Sequence, residues 1–214
     1  SLVVMGISRS YKNDVETSLQ SIEPEIIVTP LLNQYISASH IDSVYIKLDS
    51  ISKSNLNLFF SKFREEYVMA KNSVTSNGLI AYMLEDNISK FYTFLDNGDE
   101  IDNYMYVSNS LLEKFDSNLD DEITLFNISK LIEDETLKAS SLQITGTYNS
   151  KIPTFDNNIV FLSQKMMGML FDDNDSYSGI VISGITSKEL RVLKNELDHI
   201  PIVFTTWKEK HENI

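Results

Sequence analysis

The sequence has no cysteine, only four prolines and seven glycines, and a single tryptophan. Without cysteine there is no disulfide framework, no thiol catalysis and no zinc–thiolate site. The compartment stays open, because cytosolic and periplasmic proteins alike can lack cysteine. Positive charge is also scarce. Of 18 basic residues only Arg9, Arg64 and Arg191 are arginines, and no basic cluster exceeds a few residues. Against 31 acidic residues this leaves a formal net charge of −13. A nucleic-acid backbone or an anionic lipid headgroup would be repelled, so nucleic-acid binding is not expected. No segment reaches the ~20 apolar residues of a membrane-spanning helix. No signal peptide with a basic start and a cleavage site is present. The apolar run at 2–7 is short. It reads either as an ordinary buried start or as the stub of a membrane helix.

Catalytic motifs are equally sparse. There is no G-x-S-x-G, no Walker A loop and no G-x-G-x-x-G. His40, His199 and His211 lie far apart, and none belongs to an H-x-x-x-H pair. Asp172-Asp173-Asn174-Asp175 suggests a calcium loop, but Tyr177 and Ser183 occupy the positions that need Gly and Glu. The stretch 116–127 fails the same count and ends in Asn127. Both read as solvated loops beside helix ends. Ser50-Ile51-Ser52-Lys53 matches the S-x-x-K of Ser-Lys acyl transferases without their partner motifs. These counts favour a protein that is not an enzyme. A free-standing Ser-Lys hydrolase stands as the remotest alternative.

What is present is a chain that folds. It is 42% hydrophobic and 23% charged, the balance of a globular protein. Its length supports a core without crosslinks. Periodicity predicts a helix over 8–22 ended by Pro24, a strand at 25–29, and a strand at 44–48 from the alternation of Val44, Ile46 and Leu48. Leu56, Phe59, Phe60 and Phe63 at i, i+3, i+4, i+7 predict a helix. Strands at 67–74 and 79–84 follow, with Asn77-Gly78 as their turn, and 91–95 reads as a further strand. Strands are predicted at 104–107, 123–126, 142–148 and 158–162. Ser110 with Glu113 suggests a capping box for a helix through Leu111, Leu112 and Phe115. Ser163 opens a helix carrying Met166, Met167 and Leu170, whose methionines read as core in preference to a contact face. The end reads as a β-α-β unit with parallel pairing: strand 179–183, a capping box Thr186-x-x-Glu189, and strand 201–205. The expectation is an α+β fold in which a β-rich insertion, about 95–175, interrupts a sheet formed by both chain ends.

One polar connection stands out. Residues 127–141 read NISKLIEDETLKASS and place Leu131, Ile132 and Leu137 in a segment that is otherwise polar. The functional reading is a protruding arm whose apolar tip docks a partner, against the alternative of a plain surface hairpin. The candidate contact residues are Lys130, Leu131, Ile132, Glu133, Asp134, Glu135, Thr136, Leu137 and Lys138.

Several stretches, taken in order, resemble the periplasmic domain of the lipoprotein-releasing ABC transporter permeases LolC and LolE, within the MacB/FtsX-like permease superfamily. These are the helix at 11–22 leading through Pro24 to the strand at 26–28, then NYMYVSNSLLEKFDSNLDDEITLF at 103–126, and LQITGTY at 142–148. Phe155-Asp156 with strand 158–162 and its Met-rich helix, strand 177–182, and Trp207 before 208–211 complete the set. Ser108 and Asp120 or Asp121 stand where that family usually has Gly. In LolC the segment matching 127–141 is a Pro-containing hook that grips the chaperone LolA. Here it has no Pro and carries Glu133, Asp134 and Glu135.

The resemblance implies a MacB-like periplasmic core domain. Residues 1–22 would continue from a transmembrane segment, and 23–95 with 176–207 would form a porter-type α/β lobe. Residues 96–175 would form an inserted sabre-type lobe with its hairpin at 127–141, and 208–214 would start the link to the next membrane helix. It implies a place in the inner membrane of a Gram-negative bacterium with this domain in the periplasm. The implied partners are a second permease, a cytoplasmic ATPase subunit that uses the ATP, a periplasmic lipoprotein chaperone and a lipoprotein substrate, with no cofactor in the domain itself. A MacB-type efflux or FtsX-type signalling permease is the alternative.

Overall fold

The computed structural model describes residues 24–73, 75–86, 88–92, 94–96, 103–128, 138–173, 175–206 and 209. The helix expected at 8–22, Trp207 and all of 208–214 except Glu209 lie outside the described residues. In chain order the elements are β1 (Ile26–Pro30), α1 (Ala38–Ser52), β2 (Phe59–Lys71) and β3 (Ser76–Leu84). A 3-10 turn (Ile88–Lys90), β4 (Leu95–Asp96), β5 (Met105–Ser108), α2 (Asn109–Phe115), β6 (Glu122–Asn127) and β7 (Lys138–Gln143) follow. The chain continues through β8 (Gly146–Tyr148), α3 (Pro153–Asp156), β9 (Ile159–Leu162), α4 (Gln164–Phe171), β10 (Gly179–Ser183), α5 (Ser187–Glu196) and β11 (Ile202–Thr206).

The strands form one mixed sheet in the order β11-β1-β10-β2-β3-β9-β5-β8-β4. β3 with β9 and β5 with β8 are parallel pairs. β2 is the spine. Its lower residues, Phe59 to Phe63, pair with β10, and its upper residues, Val68 to Lys71, pair with β6, which carries β7. The fold class is therefore α+β, as the sequence pattern led one to expect.

Two cores lie on opposite faces. One is aliphatic and joins α1, α2, α4 and α5 to the sheet through residues such as Val44, Leu48, Leu111, Leu170 and Leu193. The other is aromatic, with Phe63, Tyr82, Tyr92, Tyr148 and Phe161 at its centre. Tyr82 stands edge-on to Phe161 at 5.8 Å and stacks on Phe63 at 5.5 Å. Such edge and stacked contacts add to the area the rings bury.

Several expectations are corrected. Residues 44–48 are helical, within α1. Ile41, Val44 and Leu48 are buried at i, i+3, i+7, whereas Ile46 is 68% exposed. Ser37 caps the helix, its hydroxyl accepting from the His40 N–H. The expected helix through Leu56 to Phe63 is instead a loop entering β2. A strand buried on both faces places aromatics on either side: Phe60 meets Tyr45 edge-on, and Phe63 meets Tyr82 on the other face. The i, i+3, i+4 spacing arises there by coincidence. The β2–β3 hairpin exists, but Asn77 and Gly78 lie inside β3, opposite Ala70 and Met69. The chain reverses between Lys71 and Ser76, where the Thr75 N–H donates to the Asn72 side chain.

The helix α2 is capped by Ser108 and not by Ser110. Of the strand expected at 91–95, Phe91, Tyr92 and Phe94 are irregular, Leu95 enters a strand, and Thr93 lies outside the described residues. The run 142–148 splits between β7 and β8. The terminal β-α-β unit has its capping box, with Thr186 and Glu189 bonding reciprocally. Its two strands do not pair with each other. Both are antiparallel to β1, which lies between them. A distant strand has taken the place that local reasoning reserved for the neighbour.

Candidate functional site

The hairpin candidate can be placed only at its root. Lys130, Leu131, Ile132, Glu133, Asp134, Glu135, Thr136 and Leu137 lie outside the described residues, and Lys138 is the first residue of β7. The β6–β7 ladder ends where Asn127 faces Lys138. Both residues are tied to α4. The buried Asn127 amide donates to the Leu170 carbonyl at 3.4 Å, and the Lys138 ammonium pairs with the Asp172 carboxylate. The segment therefore springs from a root fixed against the core.

On the aromatic face, a groove of about 810 Å³ runs across β11, β1, β2 and β3. Ile27, Phe63, Tyr67, Tyr82 and Phe155 give it an apolar floor, and Glu65 supplies a carboxylate. Alternation places these side chains there, because residues two apart along β2 share one face. The groove went unrecognised in the sequence because its lining comes from seven separated stretches of chain.

A buried polar knot sits on the opposite face of β2 from the groove, between the parts of the strand that pair with β10 and β6. The Arg64 Nε donates to Glu66 Oε1 at 2.8 Å, and the Tyr35 hydroxyl donates to the same oxygen at 2.5 Å. Arg64 Nη1 also donates to the Asp173 carbonyl at 2.8 Å. The guanidinium lies 5.0 Å from the Phe171 ring centre and 5.4 Å from that of Tyr35, close enough for attraction to the ring faces. Burial, and then the bond to Glu66, push the Tyr35 phenol up to about 12. The hydrogen bond from Ser176, helped by Arg64, holds the Asp173 carboxyl below its usual range. Sequence reasoning missed this knot. Its one available signal was a rare arginine alternating with glutamate on an apolar strand.

The remaining motifs resolve simply. Ser50 and Lys53 end α1, and the exposed Lys53 ammonium pairs with Asp49 at 3.5 Å. Met166 and Met167 are core, while Met169 on the same helix is exposed. Asp116 and Asp172 are left-handed C-caps of α2 and α4, so both acidic stretches begin at a helix end. Among the described residues no group of three or more His, Asp or Glu side chains could hold a metal ion, and no helix is long and apolar enough to cross a membrane. His211 lies outside the described residues.

No protein-family model matches the sequence, and no curated protein sequence matches it. Solved structures do resemble it. The periplasmic region of MacB from Actinobacillus actinomycetemcomitans superposes with a TM-score of 0.54 at 9% identity, covering 92% of this chain and 96% of that one. The extracellular domain of the ABC-type transporter YknZ from Gram-positive bacteria gives 0.52 at 9% identity, covering 85% of this chain and 99% of that one. Identity this low speaks to architecture alone: the chain has the mixed α+β fold of MacB-like extracytoplasmic domains.

Proposed function

We propose that this chain is the extracytoplasmic domain of an ABC transporter permease, set between two membrane segments, and that it is not an enzyme. The observation that carries this reading is the placement of the first and last strands among the described residues. β1 and β11 are antiparallel neighbours with Ile26 opposite Thr206. The described chain therefore enters and leaves at one end of the sheet, as a domain inserted between two spans must. The shared fold supports the same reading. Its two-lobe division, 23–95 with 176–207 against 96–175, is part of the proposal. β2 would run through both lobes, since it bonds to β10 and to β6.

In this reading a cytoplasmic ATPase subunit supplies the energy and a partner permease completes the complex. Movement of the membrane helices shifts the domain as a body, and the domain biases the cycle by binding its partners differently in two states. The finer reading is lipoprotein release: a lipoprotein leaves the inner membrane and passes to a periplasmic chaperone that docks on the 127–141 hairpin. The fixed root at Asn127 and Lys138 favours a presented arm over a slack loop. A MacB-type efflux or FtsX-type signalling role would use the same fold with another partner.

Two measurements test these levels separately. The parent reading frame is expected to encode apolar spans on both sides of these residues, and lack of either span removes the permease reading. The chain is expected to bind the lipoprotein chaperone of its own organism and to lose that binding when Leu131, Ile132 and Leu137 are all changed to Ser. A folded chain that never binds the chaperone removes lipoprotein release and leaves the permease reading in place.

A further inference from the structure

We propose that Leu56 and Phe59 form an apolar lip that rests on the lipid surface at the end of the domain where the chain enters and leaves. The inference rests on the permease reading above, and it assigns a surface that the reading does not. Leu56 is 88% exposed and Phe59 is 43% exposed. Their position follows from strand register. Phe59 faces Ser183, Ile182 faces Ile26, and Ile26 faces Thr206. The lip is thus level with the start of β1 and the end of β11, where flanking membrane segments would attach.

The loop that presents Leu56 is held in place. The Asn55 amide donates to the Gly184 carbonyl at 2.9 Å and to Glu189 Oε2 at 3.0 Å. The Asn57 N–H donates back to the Asn55 side chain at 3.1 Å. Gly184 adopts φ +77, and a Cβ there would meet the Asn57 carbonyl at 1.9 Å, so the two loops are in backbone contact. Leu58 is buried in the aliphatic core. An apolar side chain two residues before that anchor is therefore directed outward by a braced turn.

Charge at this end also fits a lipid surface. The chain carries −13 overall, but three of the described carboxylates here are turned onto backbone N–H groups. Glu25 accepts from Gly184, Glu189 from Thr186, and Glu209 from Thr206. Lys53, next to the lip, is exposed. An end that presents an exposed leucine and phenylalanine, with Asp49 offset by Lys53, suits the zwitterionic interface of a bilayer, where apolar area gained is the main attraction.

The absence of cysteine makes single-site labelling clean. The 214-residue chain would be held on phosphatidylcholine vesicles by a histidine tag after Ile214 and chelating lipid, with a fluorophore on Ser54→Cys beside the lip. Nitroxide-bearing lipids are expected to quench it. A fluorophore on Ser73→Cys, past the far end of β2 and ~40 Å away for a strand of this length, is expected to escape. Adding Leu56→Asp should reduce quenching at position 54 to the level at position 73, and circular dichroism should stay unchanged because Leu56 is exposed. Equal quenching at 54 and 73, or quenching that survives Leu56→Asp, overturns the lip. If Leu56→Asp instead converts a dimer to a monomer, the occupant is a second copy and the lip is again overturned. A fluorophore on Glu209→Cys that is quenched when Ser54→Cys is not would refute the lip alone. The permease reading would still stand or fall on its flanking spans.

Discussion

Arg64 and Glu66, two residues apart on β2, form an ion pair at 2.8 Å with both side chains almost wholly buried. The pair lies at a fork, because the edge of β2 that pairs with β10 below is taken by β6 above. Tyr35 reaches it from the segment between β1 and α1, and Phe171 and Asp173 reach it from the end of α4. Taking two charges out of water is costly unless each finds partners, and here the partners come from two segments far apart in the chain.

Removing one partner should therefore be severe. Arg64→Ala is expected to lower unfolding free energy by about 3–5 kcal/mol, the usual result of leaving a buried charge alone. The double change Arg64→Met with Glu66→Leu should recover most of that loss. Urea unfolding of both variants checks this. A mild Arg64→Ala would mean that water reaches the fork.

The same knot predicts an alkaline limit. Tyr35 ionises at about 12 in the folded chain, above its ordinary 10. A raised pKa favours the protonated form, so the contribution is complete below pH 10 and fades as pH rises through about 12. Burial also pushes up Tyr45, Tyr104, Tyr148 and Tyr177. Denaturant midpoints should fall over this window, and Tyr35→Phe should flatten part of the slope.

Two glycines should respond in opposite directions. At Gly179 a Cβ would meet the Val28 carbonyl at 2.0 Å, so Gly179→Ala must push β10 away from β1. A loss of at least about 2 kcal/mol is expected, in the range of overpacked core sites. At Gly78 nothing lies within 4 Å. Gly78→Ala should stabilise by about 0.4–1 kcal/mol through the unfolded chain. Thermal melts of the two variants should move apart.

The capping box of α5 gives a smaller test. Thr186→Ala removes the hydroxyl that accepts from the Glu189 N–H, and such caps are worth about 1 kcal/mol. Because Asn55 also bonds Glu189, the loss should exceed that of Ser37→Ala at the start of α1.

What could be read in advance follows a physical divide. Elements signalled by their own residues were legible: Ser163 and Thr186 as caps, β10 as a buried strand, and 26–28 as a strand. Elements decided by distant partners were not. Residues 59–63 became strand because β10, from the far end of the chain, pairs with them. Val44, Ile46 and Leu48 alternate as a strand would, but the helix won because Ile41 and Val44 meet a core that local sequence does not display. The groove and the Arg64 knot stayed hidden for the same reason. The hairpin candidate was a reading of local texture, and the structure fixes only its root.

The pairing of Ile26 with Thr206 has a mechanical consequence. Force that draws the two ends apart sideways would load the β1–β11 hydrogen bonds one at a time, from Ile26 inward, and antiparallel strands part easily in that way. Force that moves both ends together loads none of them. In the proposed permease the domain would thus follow its membrane anchors when they tilt or slide in concert, and it would unzip from its base if they separated. A machine built on such a module must keep the two anchoring segments side by side throughout its stroke.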